Sequence, residues 1–191
     1  MDIHKSLRHD WYNQSLPKNI EIGESSWLYS SYAFLHFMSQ AGNGVQVGSN
    51  TGLYDGTFFD LGPKASISIG SYCTLVGVII CSNQRVEIGD YCFLAHEVVI
   101  ADSEVAIPMQ YGWNANSVGT RPRKKNHTSR DGNTIKIGDN VWLGTGSRVL
   151  SGANIGNNSV VAAGCTVDFP IPSNAVVAGD PARVVKVLRD S

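Results

Sequence analysis

Between residues 137 and 167 an aliphatic side chain returns at every sixth position: Ile137, Leu143, Val149, Ile155, Val161 and Val167. At about 100° per residue, six helical steps turn through roughly 240°, so these side chains would scatter around three sides of an α-helix. A straight strand would keep them on one face, but it would far exceed ordinary strand length and is broken by Gly138, Gly144, Gly152, Gly156 and Gly164. The chain must therefore turn once per repeat. One short strand and one corner per hexad close a triangular coil in about eighteen residues, and stacked coils bury their aliphatics along a common axis. Four places after each aliphatic stand Val141, Ser147, Ala153, Ser159, Cys165 and Ile171, mostly small, as a narrow interior requires. The pattern predicts an all-β parallel β-helix.

The same period occurs upstream at Ile69, Leu75 and Cys81, and again at Ile88, Leu94 and Ile100 after one seven-residue step that reads as a bulged corner. Val47, Leu53 and Phe59 continue it toward the N-terminus. Between Ile100 and Ile137 the period fails, and a stretch with Pro108, Pro122 and several glycines and asparagines intervenes. Such a length without regular structure reads as an extruded loop, of the kind that more often serves function than accident. Arg121, Arg123, Lys124, Lys125 and Arg130 make its second half basic, which suits either a solvated tip or contact with an anion. The expected organisation is a single domain over 1–191. It comprises a lead-in at 1–19 with a short helix capping the open end of the coils, first coils at 20–100, the loop at 101–136, regular coils at 137–172, and a C-terminal strand and tail at 173–191.

Composition narrows the function classes. Fifteen basic against sixteen acidic residues give no general attraction to nucleic acid or to an anionic membrane. The start, MDIHKSLRHDWYNQ, has no apolar signal core, and WLYSSYAFLHFM at 27–38 is too short and polar to span a bilayer, so a cytoplasmic protein without membrane insertion is expected. Of the four cysteines, Cys73, Cys92 and Cys165 fall at the small inward position and Cys81 at an aliphatic one. They read as packing thiols, and with no CxxC pair no metal is expected.

The hexads, the phrase IGDNVWLG, the segment NSVVAAG and the closing GDPARVVK resemble the left-handed β-helix acyltransferases with hexapeptide repeats, especially the maltose, galactoside and xenobiotic O-acetyltransferases. The resemblance covers roughly residues 67 to 188. It implies left-handed winding, a homotrimer, acetyl-CoA as acyl donor in a groove between coils, a sugar or small-molecule acceptor, and a histidine as general base. A neutral imidazole within hydrogen-bond reach can take the proton of a hydroxyl as that hydroxyl attacks the thioester. Exposed backbone N–H groups can steady the developing oxyanion.

Two histidines are candidates for the base. His96, in LAHEVV, resembles the histidine of the sugar acyltransferases, with Glu97 beside it to orient or tune the ring. His127 lies in the basic loop. Where the maltose and xenobiotic enzymes place their histidine this chain has Asp102, Ser103 and Glu104, so either His96 or His127 supplies the base or the reaction is changed or lost. By the same resemblance Trp142, Gly144, Ala162 and Ala163 line the pantetheine groove, and Arg183 and Lys186 contact the CoA phosphates. Tyr111, Trp113 and Asn114 of the loop are candidates for acceptor contact. Two other readings stand beside this one. A β-helical carbonic anhydrase needs three zinc-binding histidines, a pattern missing here; a catalytically inactive trimeric scaffold or binding module would keep the groove without the base.

Overall fold

The computed structural model describes residues 9–102 and 134–188. The first coil contributes β1 (Ile20–Ile22) and β2 (Trp27–Leu28). The second contributes β3 (Val45–Val47), β4 (Gly52–Leu53) and β5 (Phe58–Leu61), the third β6 (Ser66–Ile69), β7 (Thr74–Leu75) and β8 (Ile79–Ser82), and the fourth β9 (Arg85–Ile88), β10 (Phe93–Leu94) and β11 (Val99–Ala101). After the inserted segment come β12 (Ile135–Ile137), β13 (Trp142–Leu143) and β14 (Arg148–Leu150), then β15 (Asn154–Ile155), β16 (Val160–Val161) and β17 (Thr166–Val167), and finally β18 (Pro170–Ile171) and β19 (Ala175–Ala178). Equivalent strands of successive coils pair in parallel and build three sheets of seven, eight and five strands, the walls of a β-helix. The last strand, β20 (Arg183–Val187), reverses and closes the edge by pairing antiparallel with β19.

The hexad side chains form one inward row per sheet. Ile69, Ile88, Ile137 and Ile155 stack in the first, Leu53, Leu75, Leu94 and Leu143 in the second, and Phe59, Ile80, Ile100 and Val149 in the third, none more than 3% exposed. At roughly 2 kcal/mol for each large aliphatic withdrawn from water, these rows are the main source of stability. Cys73, Cys92 and Cys165 occupy the small inward position and are buried.

Two local expectations differ from the structure. Ile80, not Cys81, pairs with Phe59 and Ile100 in the inward row, while Cys81 is half-buried, its thiol pushed up to about 11 by burial and by Asp60 and Asp102 nearby. Ile171 pairs with Ile155 and so belongs to the large inward row rather than the small one, because the preceding corner is shortened. Residues 9–19 of the lead-in contain no helix. His9 and Asp10 pin the described part of the lead-in through their side chains. His9 stacks on Trp27 with ring centres 4.2 Å apart and bonds to the Leu28 carbonyl at 2.8 Å. The Asp10 carboxylate accepts bonds from the Ser30 hydroxyl and from the N–H groups of Ser31 and Tyr12. Burial alone would raise its pKa, but these bonds outweigh it and hold the group at about 2. The open end of the core is covered by a 3₁₀ turn, Ser31–Phe34, whose Phe34 ring stacks on Phe59 at 4.9 Å.

β12 pairs directly with β9, Ile137 opposite Ile88, so the coils continue in register across the segment between them. His127, Tyr111, Trp113, Asn114 and the basic cluster from Arg121 to Arg130 lie outside the described residues. Among the described residues no helix is long and apolar enough to cross a membrane.

Candidate active site

The corner joining the second sheet to the third positions His96. Four residues make this corner in most coils: Tyr54–Asp55–Gly56–Thr57 in the second, Ala95–His96–Glu97–Val98 in the fourth, Gly144–Thr145–Gly146–Ser147 in the fifth and Ala162–Ala163–Gly164–Cys165 in the sixth. In the third coil only Val76, Gly77 and Val78 stand between Leu75 and Ile79, although the flanking strands remain paired with both neighbours. Gly56, Gly77, Glu97, Gly146 and Gly164 share the left-handed backbone conformation, with φ between 60° and 79°, and so fix the alignment of the corners. The third coil is thus one residue short at this corner, and Gly77, whose carbonyl accepts from Glu97 as that of His96 accepts from Gly146, offers no side chain between Asp55 and His96. A notch results.

Its walls follow from the neighbours. Tyr29, Tyr54 and Asp55 stand on one side, His96 and Glu97 on the other, with Thr74, Val76 and Gly77 between them, around an open groove of about 730 Å³. That is within the range of small-molecule sites. Gly77 forms the floor: a methyl group there would lie 3.7 Å from His96 Nδ1, from the Asp55 carbonyl oxygen and from the Glu97 nitrogen. Gly52 admits the Tyr54 ring, which covers the place its own side chain would take. A smaller cavity of about 150 Å³ adjoins, lined in part by Trp11, Tyr32 and Phe58 and sharing Tyr29, Tyr54 and Asp55.

Adjacent strand residues point to opposite faces, but His96 and Glu97 sit in a corner and both line the groove. Glu97 is the one non-glycine at the left-handed position of these five corners, a conformation that costs about 1–2 kcal/mol for an L side chain and that Asn50, Tyr72, Tyr91, Asn140 and Asn158 also adopt at the corners between the first and second sheets. Its N–H donates to the Gly77 carbonyl at 3.1 Å, and the His96 carbonyl accepts from Gly146 at 2.9 Å, so both neighbouring coils hold this corner.

The residues assigned to CoA by resemblance continue the same column. Gly144 stacks beneath Ala162 and Ala163; a Cβ on Gly144 would come within 2.5 Å of the Ala163 nitrogen, so close coil packing requires this glycine whatever else the surface does. Trp142 is 54% exposed on the outer face of the second sheet, edge-on to Phe93. Val160, Val176 and Lys186 follow Trp142 strand by strand across that sheet, and Arg183 pairs with Ala178 at the corner end of β19. All six residues thus lie on one flank, on the C-terminal side of His96. Arg183 and Lys186 are exposed there.

Asp102, in the region where the resemblance leaves a histidine missing, has a different occupation. It is 3% exposed, and its carboxylate accepts from the Ser82 hydroxyl and from the N–H groups of Asn83 and Gln84, fastening the corner that leads into the fourth coil. Glu104 lies outside the described residues. Among the described residues no group of three or more His, Cys, Asp or Glu is placed to hold a metal ion. Sequence reasoning missed Asp55, Tyr29 and Tyr54; the signal for them was the five-residue step from Leu75 to Ile80, masked by the apolar Cys81 one place later.

The bacterial transferase hexapeptide (six repeats) family matches residues 134–168. Galactoside O-acetyltransferase of Escherichia coli is 46% identical over 56 residues, 29% of this chain and 28% of the relative. The 2,3,4,5-tetrahydropyridine-2,6-dicarboxylate N-acetyltransferase of Staphylococcus aureus is 44% identical over 52 residues, 27% of this chain and 22% of the relative. The chain thus aligns with less than a third of these relatives' length, and with both oxygen- and nitrogen-acetylating enzymes at nearly equal identity. In fold, a hexapeptide-repeat acetyltransferase of Vibrio cholerae, solved with acetyl-CoA, superposes with a TM-score of 0.59 at 23% identity, covering 84% of this chain and 77% of that one. By repeat and by architecture this chain is a parallel β-helix, similar in fold to the Vibrio cholerae acetyltransferase.

Proposed function

We propose that the protein is a CoA-dependent acyltransferase that moves an acetyl group from acetyl-CoA to a hydroxyl or amine of a sugar or small metabolite, with His96 as general base. The observation that carries this reading is the order along one corner column. The groove lies on the N-terminal side of His96, and the small residues Gly144, Ala162 and Ala163, followed by Arg183, lie on the other. An acceptor in the notch and a thioester laid along the small-residue corners would meet at the imidazole.

The chemistry follows from that order. His96 accepts the acceptor's proton as the oxygen or nitrogen attacks the thioester carbonyl, the C–S bond breaks, and the proton passes to the departing CoA sulfur. Glu97, the next residue of the corner and part of the same groove lining, is assigned to orienting and tuning the ring. Corners only about 4.8 Å apart allow pantetheine to lie close to backbone N–H groups, while Arg183 and Lys186 suit the CoA phosphates. His127 is the second candidate for the base.

A homotrimer belongs to the same reading. Phe93 and Trp142, paired on neighbouring strands and each more than 40% exposed, make an aromatic patch on the second sheet beside the groove, with Trp27 two strands beyond Phe93's partner Thr74 on the same line, and a second copy seated there would wall the groove. A cytoplasmic location fits an enzyme that draws on acetyl-CoA. The test is release of free CoA thiol from acetyl-CoA on addition of sugar and amine acceptors. Acceptor-dependent release with an acetylated product is expected; CoA binding without transfer to any acceptor would leave the scaffold reading.

A further inference from the structure

We infer that the smaller cavity, between the lead-in, the 3₁₀ turn and the second coil, is a binding site for an uncharged apolar ring the size of benzene. Such a site stands apart from acyl transfer and needs neither His96 nor CoA. Its volume of about 150 Å³ is the size at which a cavity lined by apolar side chains stays dry and accepts benzene.

Three segments of the chain converge on it. Trp11 comes from the lead-in, Tyr32 and Ala33 from the 3₁₀ turn, and Leu53 and Phe58 from the second coil, with Leu28 of the first coil beside them. The aromatic rings lie against one another: the centre of Tyr32 is 5.3 Å from that of Trp11 and 5.7 Å from that of Phe58. Leu28, Ala33 and Leu53 are buried.

The class of ligand follows from how the polar lining groups are occupied. The Ser30 hydroxyl donates to the Asp10 carboxylate at 2.6 Å and accepts from the Tyr32 N–H, and the Thr57 hydroxyl donates to the Leu75 carbonyl at 3.2 Å. Neither hydroxyl has a proton left for a polar ligand, whose acceptors would go unpaired on burial. An apolar ring has no such need and gains contact with the aromatic rings. A cationic ring held by aromatic faces is the competing class.

Occupation also bears on the lead-in. The Trp11 side of the cavity is open to water, since Trp11 is 64% exposed although its ring leans on Tyr32. The other ties there are polar: the Tyr12 and Gln14 N–H groups donate to the Asp10 carboxylate and to Ser31 Oγ. A ring bound between Trp11, the turn and the second coil adds an apolar tie among the three, and the lead-in then opens less often.

The experiment is calorimetric titration of the full chain with toluene and with benzylammonium at pH 7, in wild type, Trp11→Ala and Tyr32→Ala, with circular dichroism to verify folding. Toluene should bind with a dissociation constant on the order of 1 mM, as burial of one small ring supplies. Benzylammonium should bind about tenfold more weakly, because its charge must be desolvated. Each substitution should weaken toluene by about tenfold through lost ring contact. Trp11 is exposed and lies outside the coils, so Trp11→Ala stays folded even where Tyr32→Ala disturbs the turn. Hydrogen exchange then locates the ligand: at toluene about five times the dissociation constant, the Tyr12 and Gln14 amides should exchange about sixfold more slowly. No toluene binding, benzylammonium binding as tightly as toluene, affinity unchanged in folded Trp11→Ala, or unchanged exchange at Tyr12 and Gln14 with toluene bound would each overturn the inference.

Discussion

Replacing His96 with alanine lowers acetyl transfer by about a hundredfold or more, the usual contribution of a general base, while affinity for CoA changes little. The two effects separate because His96 stands where the groove ends and the small-residue corners begin, whereas the groups assigned to CoA lie on its C-terminal side. Folding should not suffer: the side chain is exposed, and the corner is held through the backbone by Gly146 and by the bond from Glu97 to Gly77. Steady-state thiol release together with calorimetry of CoA measures both quantities. His127→Ala should have the smaller effect. If instead His127→Ala abolishes turnover and His96→Ala does not, the base comes from the inserted segment and the corner column is not where the chemistry happens.

Inserting one alanine between Val76 and Gly77 lowers transfer by about a hundredfold while leaving the β-helix and its CoA affinity intact. The insertion gives the third coil the four-residue corner that its neighbours already have, so the strands on either side need no new register. The added residue places a side chain between Asp55 and His96 and fills the notch. The expected loss is about a hundredfold in kcat/KM, comparable to removing the base, since an acceptor excluded from the notch cannot be oriented for attack. Thr74→Trp fills the same space from the second sheet without altering the corner, and should give the same loss. Turnover preserved in both folded variants would show that the notch does not bind the acceptor.

The regular coils from 137 to 167 were legible because a six-residue period admits few structures, and each predicted inward aliphatic in that stretch is buried. Irregular coils were harder to read, for a physical reason. A corner can lose a residue while the strands stay paired, and the strict hexad then assigns the inward place to Cys81 when Ile80 fills it. The groove that His96 lines lies in that irregularity. His96 could be singled out from its motif, but its partners come from coils two turns away in the stack, and only the pairing of Leu53 with Leu75 and of Leu75 with Leu94 brings Asp55 opposite His96. Asp102 illustrates the converse. Its place in the sequence suggested chemistry, whereas its buried bonds to Ser82, Asn83 and Gln84 give it a structural task.

That one corner column serves as the track for both substrates is tested most directly by a crystal structure of the protein with CoA and an acceptor that supports thiol release bound together. The CoA chain should run along the corners of Gly144 and Ala163 toward Arg183, with its sulfur close to His96 and the acceptor's hydroxyl or amine in the notch, reacting atoms about 3–3.5 Å apart when the thioester is in place. CoA lying on either of the other two sheets, or an acceptor bound away from Asp55 and His96, would contradict it.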